Sequence, residues 1–130
     1  MKATIVLTTF NRKDTLFKRS FPSAQNQSYE DCEILVIDDC SSDGTKEFLE
    51  NVINIRYIRH EANRGLAAAR NTGAREARGK YIVFLDDDDE LALDFLATTV
   101  PILDERKEYD AVGGRRTVIY PEGEVYDPPS

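Results

Sequence analysis

The sequence predicts an α/β domain, a mainly parallel sheet flanked by helices and finished by a C-terminal hairpin. Three observations predict it. Short β-branched, apolar runs alternate with helix-like stretches along most of the chain, the pattern that builds βαβ units and a parallel sheet. Polar clusters follow three of those apolar runs, at residues 8–12, 38–43 and 86–89. With 130 residues, 41% hydrophobic and 32% charged, the chain can fill one core and forms one domain at most.

Residues 3–8 (ATIVLT) suit a buried first strand. Residues 11–14 offer turn and cap side chains. The helical pattern through Leu16, Phe17 and Phe21 then meets Pro22, which should kink or end it. Residues 33–37 (EILVI) form the second strand and close in Asp38 and Asp39. Ser41, Ser42 and Asp43 are helix-start residues before a short helix through Phe48 and Leu49. Residues 55–59 read as a third strand. Gly65 leads into LAAARNTGAREA, whose alanines favour helix, and Arg78 with Gly79 supplies a cationic last turn and a glycine cap. Residues 81–85 (YIVFL) are expected to be a strand buried on both faces. Leu93, Leu96, Val100 and Leu103 mark a helix within residues 91–107, with Pro101 as a kink. Residues 111–120 and 123–126 are expected to pair as a hairpin across Pro121 and Glu122. The closing DPPS reads as a boundary or linker.

A net charge of -7 argues against a broad nucleic-acid surface, which needs clustered Lys and Arg. No segment reaches the roughly 20 apolar residues that span a bilayer. Cys32 and Cys40 have neither metal-site nor redox spacing, so free thiols in a reduced, cytoplasmic setting are expected. The single histidine, His60, has no second imidazole with which to build a metal site and is read as a loop or strand-end residue.

Functional chemistry is expected where the polar clusters meet. In a parallel sheet the carboxyl ends of the strands share one edge, and ligands bind there. Asp86, Asp87, Asp88 and Asp89 are four adjacent like charges at such an end, and they call for a cation. Thr8 and Thr9 beside Asp39 can form a polar floor for a base or ribose, since a buried carboxylate needs donors and an imide N–H is one. Phe10 is either core or a wall for a planar ring. Asp39, Ser41, Asp43, Gly44 and Glu50 also fit the spacing of a calcium-binding EF-hand loop. That loop must follow a helix, whereas residues 33–37 are strand-like. A turn at Gly44 and a helix start at Asp43 account for the same residues.

Four motifs in order carry a family resemblance: TTFNR at 8–12, VIDDCSSDGT at 36–45, NRGLAAARNTGAREARGKYIVFLDDDD at 63–89, and Gln27-Ser28-Tyr29. Together they resemble the nucleotide-binding half of family 2 glycosyltransferases with the GT-A fold. The resemblance implies a Rossmann-like sheet and transfer of a sugar, with inversion, from a nucleotide-diphosphate sugar to an acceptor hydroxyl. A UDP-sugar is favoured, and the acceptor would be a saccharide or lipid-linked, within polysaccharide biosynthesis. By resemblance Thr8, Phe10 and Arg12 line the nucleotide pocket, Asp39 accepts a hydrogen bond from the base, and Arg70 lies near the nucleotide. Asp86 and Asp88 form the DxD motif, Asp86 near ribose or metal and Asp88 on Mn²⁺ or Mg²⁺. Asp87 can take the place of Asp86, because four aspartates leave the register open. Residues 1–130 are then the donor-binding part of a single domain, with the acceptor-binding part and the general base beyond residue 130. Any membrane association, at the inner face, would come through those parts.

This chain departs from the family pattern at Thr9, where the family often has proline. Other classes compete. A phosphorelay receiver would carry its paired acids after the first strand, whereas here they follow the second. A nucleotidyltransferase would show a glycine-rich basic loop in place of TTFNR. A non-catalytic nucleotide-binding module is the remaining alternative.

Overall fold

In the computed structural model, the described residues are 1–114 and the backbone of 118–119 and 125–126. Four parallel strands form the main sheet: β1 Ala3–Thr9, β2 Cys32–Asp38, β3 Arg56–Arg59 and β4 Tyr81–Asp86. Their order across the sheet is β3-β2-β1-β4. β1 is central and buried along its whole length, as its uninterrupted apolar and threonine run requires of a strand covered on both faces.

Side-chain alternation along β1 divides the core. Val6 faces one layer with Leu35, Ile37 and Ala69. Ile5 and Leu7 face the other, with Leu16, Phe21, Leu49, Leu96 and Val100. Helix α4 (Leu66–Glu76) covers the first face. Helix α3 (Thr45–Glu50), helix α5 (Phe95–Glu105) and the helical run after β1 cover the second. The chain steps from β1 to β2 and β3 on one side, then returns to place β4 on the other side of β1. That reversal opens a crevice beyond the carboxyl ends of β1 and β4.

The structure corrects the sequence reading in four places. β4 is not buried on both faces. Among the described residues it pairs only with β1, and α4 packs mainly over β1 and β2, so Ile82 and Phe84 are 38% and 46% exposed. Pro22 does not end its helix. The run passes through α1 (Lys13–Thr15), a π-helical stretch at Leu16–Ser20 and α2 (Phe21–Gln25), with the Phe21 N–H bonded to the Leu16 carbonyl. That wider turn accommodates a proline whose ring would collide with a carbonyl four residues back. The helix begins only at Phe95, after an irregular segment at residues 91–92 and a turn at 93–94; the Leu91 N–H is held on Ser23 Oγ at 3.1 Å, and Pro101 lies inside α5 without interrupting it.

The fourth correction concerns the hairpin. β5 Val118–Ile119 pairs antiparallel with β6 Val125–Tyr126, but residues 111–114 are not strand, and the expected turn at Pro121 and Glu122 falls outside the described residues. β3 begins at Arg56, one residue later than expected. Cys32 and Cys40 are free thiols. No described helix is long and apolar enough to cross a membrane.

Candidate active site

The crevice is a cavity of about 600 Å³ lined by Thr8, Thr9, Phe10, Arg12, Asp39, Asn63, Gly65, Leu66, Ala69, Asp86, Asp87 and Asp88. Strand register produces this assembly. Thr8 and Asp86 are paired positions on β1 and β4, and the Thr8 hydroxyl lies 3.2 Å from Asp86 Oδ1. One residue on, Thr9 Oγ1 donates to Asp87 Oδ2 at 3.0 Å and the Phe10 N–H reaches the same oxygen at 3.2 Å. Phe10 leaves the sheet and is 41% exposed at the cavity. That exposure excludes the core alternative for it.

The two acids at the end of β2 part company, because Asp38 is its last residue and Asp39 the first beyond it. Asp38 is completely buried; it accepts from the Tyr57 hydroxyl and from the Ser41 N–H at 2.9 Å. Burial, together with that carboxylate, pushes the Tyr57 pKa far above its ordinary value. Asp39 turns to the cavity, where Oδ1 lies 2.8 Å from His60 Nδ1 and 2.9 Å from the Arg64 N–H. Oδ2 accepts from the Gly65 N–H at 2.7 Å and from the Arg64 N–H at 3.1 Å. Burial alone would raise the Asp39 pKa, but these donors outweigh it and hold the carboxyl below its ordinary value. A base donor reaching Asp39 would therefore share oxygens that the chain already uses.

His60 is buried, and its Nε2 lies 2.8 Å from Thr72 Oγ1. It links the strand end that carries Asp39 to the helix that lines the cavity. Asp43 accepts from the backbone N–H groups of Thr45 and Lys13 and from the Thr45 hydroxyl, so it joins the starts of α3 and α1. Asp39 and Asp43 thus have structural partners, and the segment follows a strand, which disposes of the calcium-loop spacing.

The acidic run divides in the same way. Asp87 is 6% exposed and folds back onto β1. Burial raises its pKa, against the opposing hydrogen bonds from Phe10 and Thr9 and the nearby charge of Arg12. Asp86, Asp88 and Asp89 each offer a carboxylate oxygen, and these oxygens lie within 4.8 Å of one another. Hard carboxylate oxygens in such a cluster suit Mg²⁺ or Mn²⁺. Arg12 Nη1 is 2.8 Å from Asp88 Oδ2, and Arg70 Nη2 is 3.1 Å from both oxygens of Asp86. Gln27 acts as a strut: it donates to the Ala92 carbonyl at 2.7 Å and accepts from the Leu96 N–H at 3.1 Å, fixing the exit of the acidic loop.

The model of the family described as Glycosyl transferase family 2 matches residues 4–130. The chain belongs to that family. A relative, the GalNAc(5)-diNAcBac-PP-undecaprenol beta-1,3-glucosyltransferase of Campylobacter jejuni, is 38% identical over 102 residues, covering 75% of this chain and 33% of the relative. The structure of S. aureus TarS 1-349 in complex with UDP-GlcNAc superposes with a TM-score of 0.75 at 27% identity, covering 82% of this chain and 32% of that one. The mannosyltransferase PcManGT from Pyrobaculum calidifontis, in complex with GDP-Man and Mn²⁺, gives 0.68 at 28% identity, covering 78% and 32%. The fold is therefore GT-A, and the chain spans about a third of the length of each of these proteins. The receiver and nucleotidyltransferase alternatives fall with this family membership.

Within this family 2 chain, Thr8, Phe10, Arg12, Asp39, Asp86, Asp87 and Asp88 meet at one cavity, and Arg70 reaches it through Asp86. Asn63, Leu66 and Ala69 also line it, and sequence reasoning passed over them. Gly65 could have pointed to them, since a glycine before an alanine-rich helix often lets a ligand approach the helix start. Nothing in the sequence flagged the bond between His60 and Asp39.

Proposed function

We propose that this chain supplies the donor site of a glycosyltransferase that moves a sugar from a nucleotide-diphosphate sugar, a UDP-sugar being favoured, to a hydroxyl of a saccharide or lipid-linked acceptor with inversion. The observation that carries the reading is the convergence of hydroxyl, aromatic, guanidinium and carboxylate side chains from four separate segments on one cavity at the crevice of the sheet. Family membership supports it, as do the UDP-GlcNAc and GDP-Man complexes of the structural neighbours.

Phe10 offers a ring face to the base, and Thr8 a hydroxyl to the ribose side. Asp39 and the loop it holds form the polar end of the base pocket. Asp86 and Asp88, with Asp89, would hold Mg²⁺ or Mn²⁺. A divalent ion there supplies Lewis-acid stabilisation of the charge that develops on the departing diphosphate. Arg12 and Arg70 bring further positive charge to the same edge. Inverting transfer also needs a base to deprotonate the incoming hydroxyl. We assign that step to the acceptor-binding part of the longer protein and to none of the carboxylates described above. Free Cys32 and Cys40 suit a cytoplasmic setting.

Calorimetric titration of UDP with and without Mn²⁺, on the wild type and on Asp88→Asn, tests the proposal. The wild type should bind UDP at least about tenfold more tightly with Mn²⁺, and the variant should lose that gain. Equal affinity under both conditions would refute the metal role, and no binding of any nucleoside diphosphate would refute the donor site. Binding without any transfer to acceptors in the full-length protein would favour a non-catalytic module.

A further inference from the structure

The acidic edge carries its own cations. Arg12 Nη1 lies 2.8 Å from Asp88 Oδ2 and 3.6 Å from Asp87 Oδ1, and Arg70 Nη2 spans both oxygens of Asp86. Both carboxylates of the proposed DxD pair therefore hold guanidinium groups. Like charges brought this close call for an opposing charge nearby, and these arginines provide it.

The two arginines differ in freedom. Arg70 projects from the middle of α4, and its Nε is buried without a partner, so its stem is confined. Arg12 follows β1 in a loop, and its side chain is 56% exposed. Arg12 and Asp88 also line both the main cavity and a second one of about 600 Å³ bounded by Asn11, Lys13, Asp14, Thr15 and Asp43. The ion pair thus stands between two open spaces, with room on either side for the guanidinium to move. An ion pair this exposed is weak, and a divalent ion outcompetes it for a hard carboxylate.

We propose that Arg12 is an exchangeable counter-ion: it partners Asp88 until a divalent cation competes for that carboxylate, and it is then handed to the diphosphate of the donor. The proposal rests on the donor-site reading above and adds an order to it. Cation binding releases the guanidinium that the diphosphate needs, so cation and nucleotide should each strengthen the binding of the other. The planar fork of arginine matches phosphate oxygens, whereas a lysine presents only a point charge.

The test measures Mn²⁺ binding by the loss of the free-ion electron paramagnetic resonance signal, with no nucleotide present, for the wild type, Arg12→Gln and Arg12→Lys. UDP is then titrated at saturating Mn²⁺. Arg12→Gln should bind Mn²⁺ alone about three- to fivefold more tightly, the worth of one exposed ion pair, and should bind UDP about tenfold more weakly once Mn²⁺ is present. Arg12→Lys should keep the Mn²⁺ affinity of the wild type yet recover only part of the UDP affinity. Unchanged or weaker Mn²⁺ binding by Arg12→Gln, in a wild type that does bind Mn²⁺, overturns the exchange and leaves the metal site standing. If neither protein takes up Mn²⁺ with or without UDP, the metal site itself fails and the exchange fails with it.

Discussion

Replacing Gly73 with alanine should destabilise the protein, although alanine is the better helix former. Gly73 lies on the buried face of α4, and a Cβ there would sit 2.2 Å from Val6 Cγ1 and 3.2 Å from Val6 Cβ and Cγ2. Carbon atoms settle at about 3.5–4.0 Å, so the nearest pair overlaps by more than about 1 Å. Val6 cannot step aside easily. It is β-branched, with few accessible rotamers, and fully buried beside Leu35, Ile37 and Ala69. Relief therefore means lifting α4 off the sheet.

The helix-propensity gain is about 1 kcal/mol, while overpacking of a close-packed core costs about 1–3 kcal/mol, with more as the helix lifts. We expect a net loss of about 1–2 kcal/mol, which for a chain of this size lowers Tm by about 4 °C per kcal/mol. Urea denaturation of the wild type, Gly73→Ala, Val6→Ala and the double variant measures the pair. The smaller side chain of Val6→Ala makes room for the new methyl group, so the double variant should lose at least about 1 kcal/mol less than the sum of the single losses. A Gly73→Ala variant more stable than the wild type, or strict additivity in the double variant, would refute the reasoning. UDP binding should weaken in parallel, because α4 carries Arg70 and its start donates to Asp39.

Three further outcomes are expected. Cys40 has φ 72°, a conformation that costs a side-chain-bearing residue about 1 kcal/mol, and its thiol makes only a weak 3.5 Å contact with the Glu61 carbonyl; Cys40→Gly should therefore raise Tm, and a fall would contradict this account. Glu33 is buried, which alone would raise its pKa, but bonds from Thr4, Arg56 and the Arg78 N–H hold it below its ordinary value of 4.5. Its contribution is then complete above 4.5 and is lost as pH falls below that value; Glu33→Gln should cost about 2 kcal/mol at neutral pH and converge with the wild type in acid, so a gap independent of pH would count against it. His60→Ala leaves buried groups on Asp39 and Thr72 short of a partner and should cost about 2–3 kcal/mol together with weaker UDP binding; unchanged nucleotide affinity would show that His60 does not position Asp39.

The parallel sheet and its ligand edge were legible because three of the four strands are short apolar runs that end in a polar cluster, a pattern local to the chain. The division of labour within each cluster was not. Asp38 and Asp39, or Asp87 and Asp88, are adjacent and chemically alike, and only the place where each strand ends and the path of the chain beyond it say which one turns inward. The hydroxyl of Thr9, at a position where the family often has proline, bonds the buried Asp87, a pairing 78 residues apart that no local pattern announces. β4 was misjudged for a related reason. A continuous apolar run reads the same whether its outer face is covered or bare, and exposure of Ile82 and Phe84 depends on which strands α4 lies over.

The wide helical turn at Leu16–Ser20 constrains how this region can change in length. With the Phe21 N–H bonded five residues back to Leu16, the backbone steps past the collision that Pro22 would meet in a regular α-helix. Deleting one residue here would restore the ordinary pitch and bring the proline ring against a carbonyl. Shortening this segment is therefore expected to succeed only in a chain that has first exchanged Pro22 for another residue, a two-step route in which the order of the changes matters.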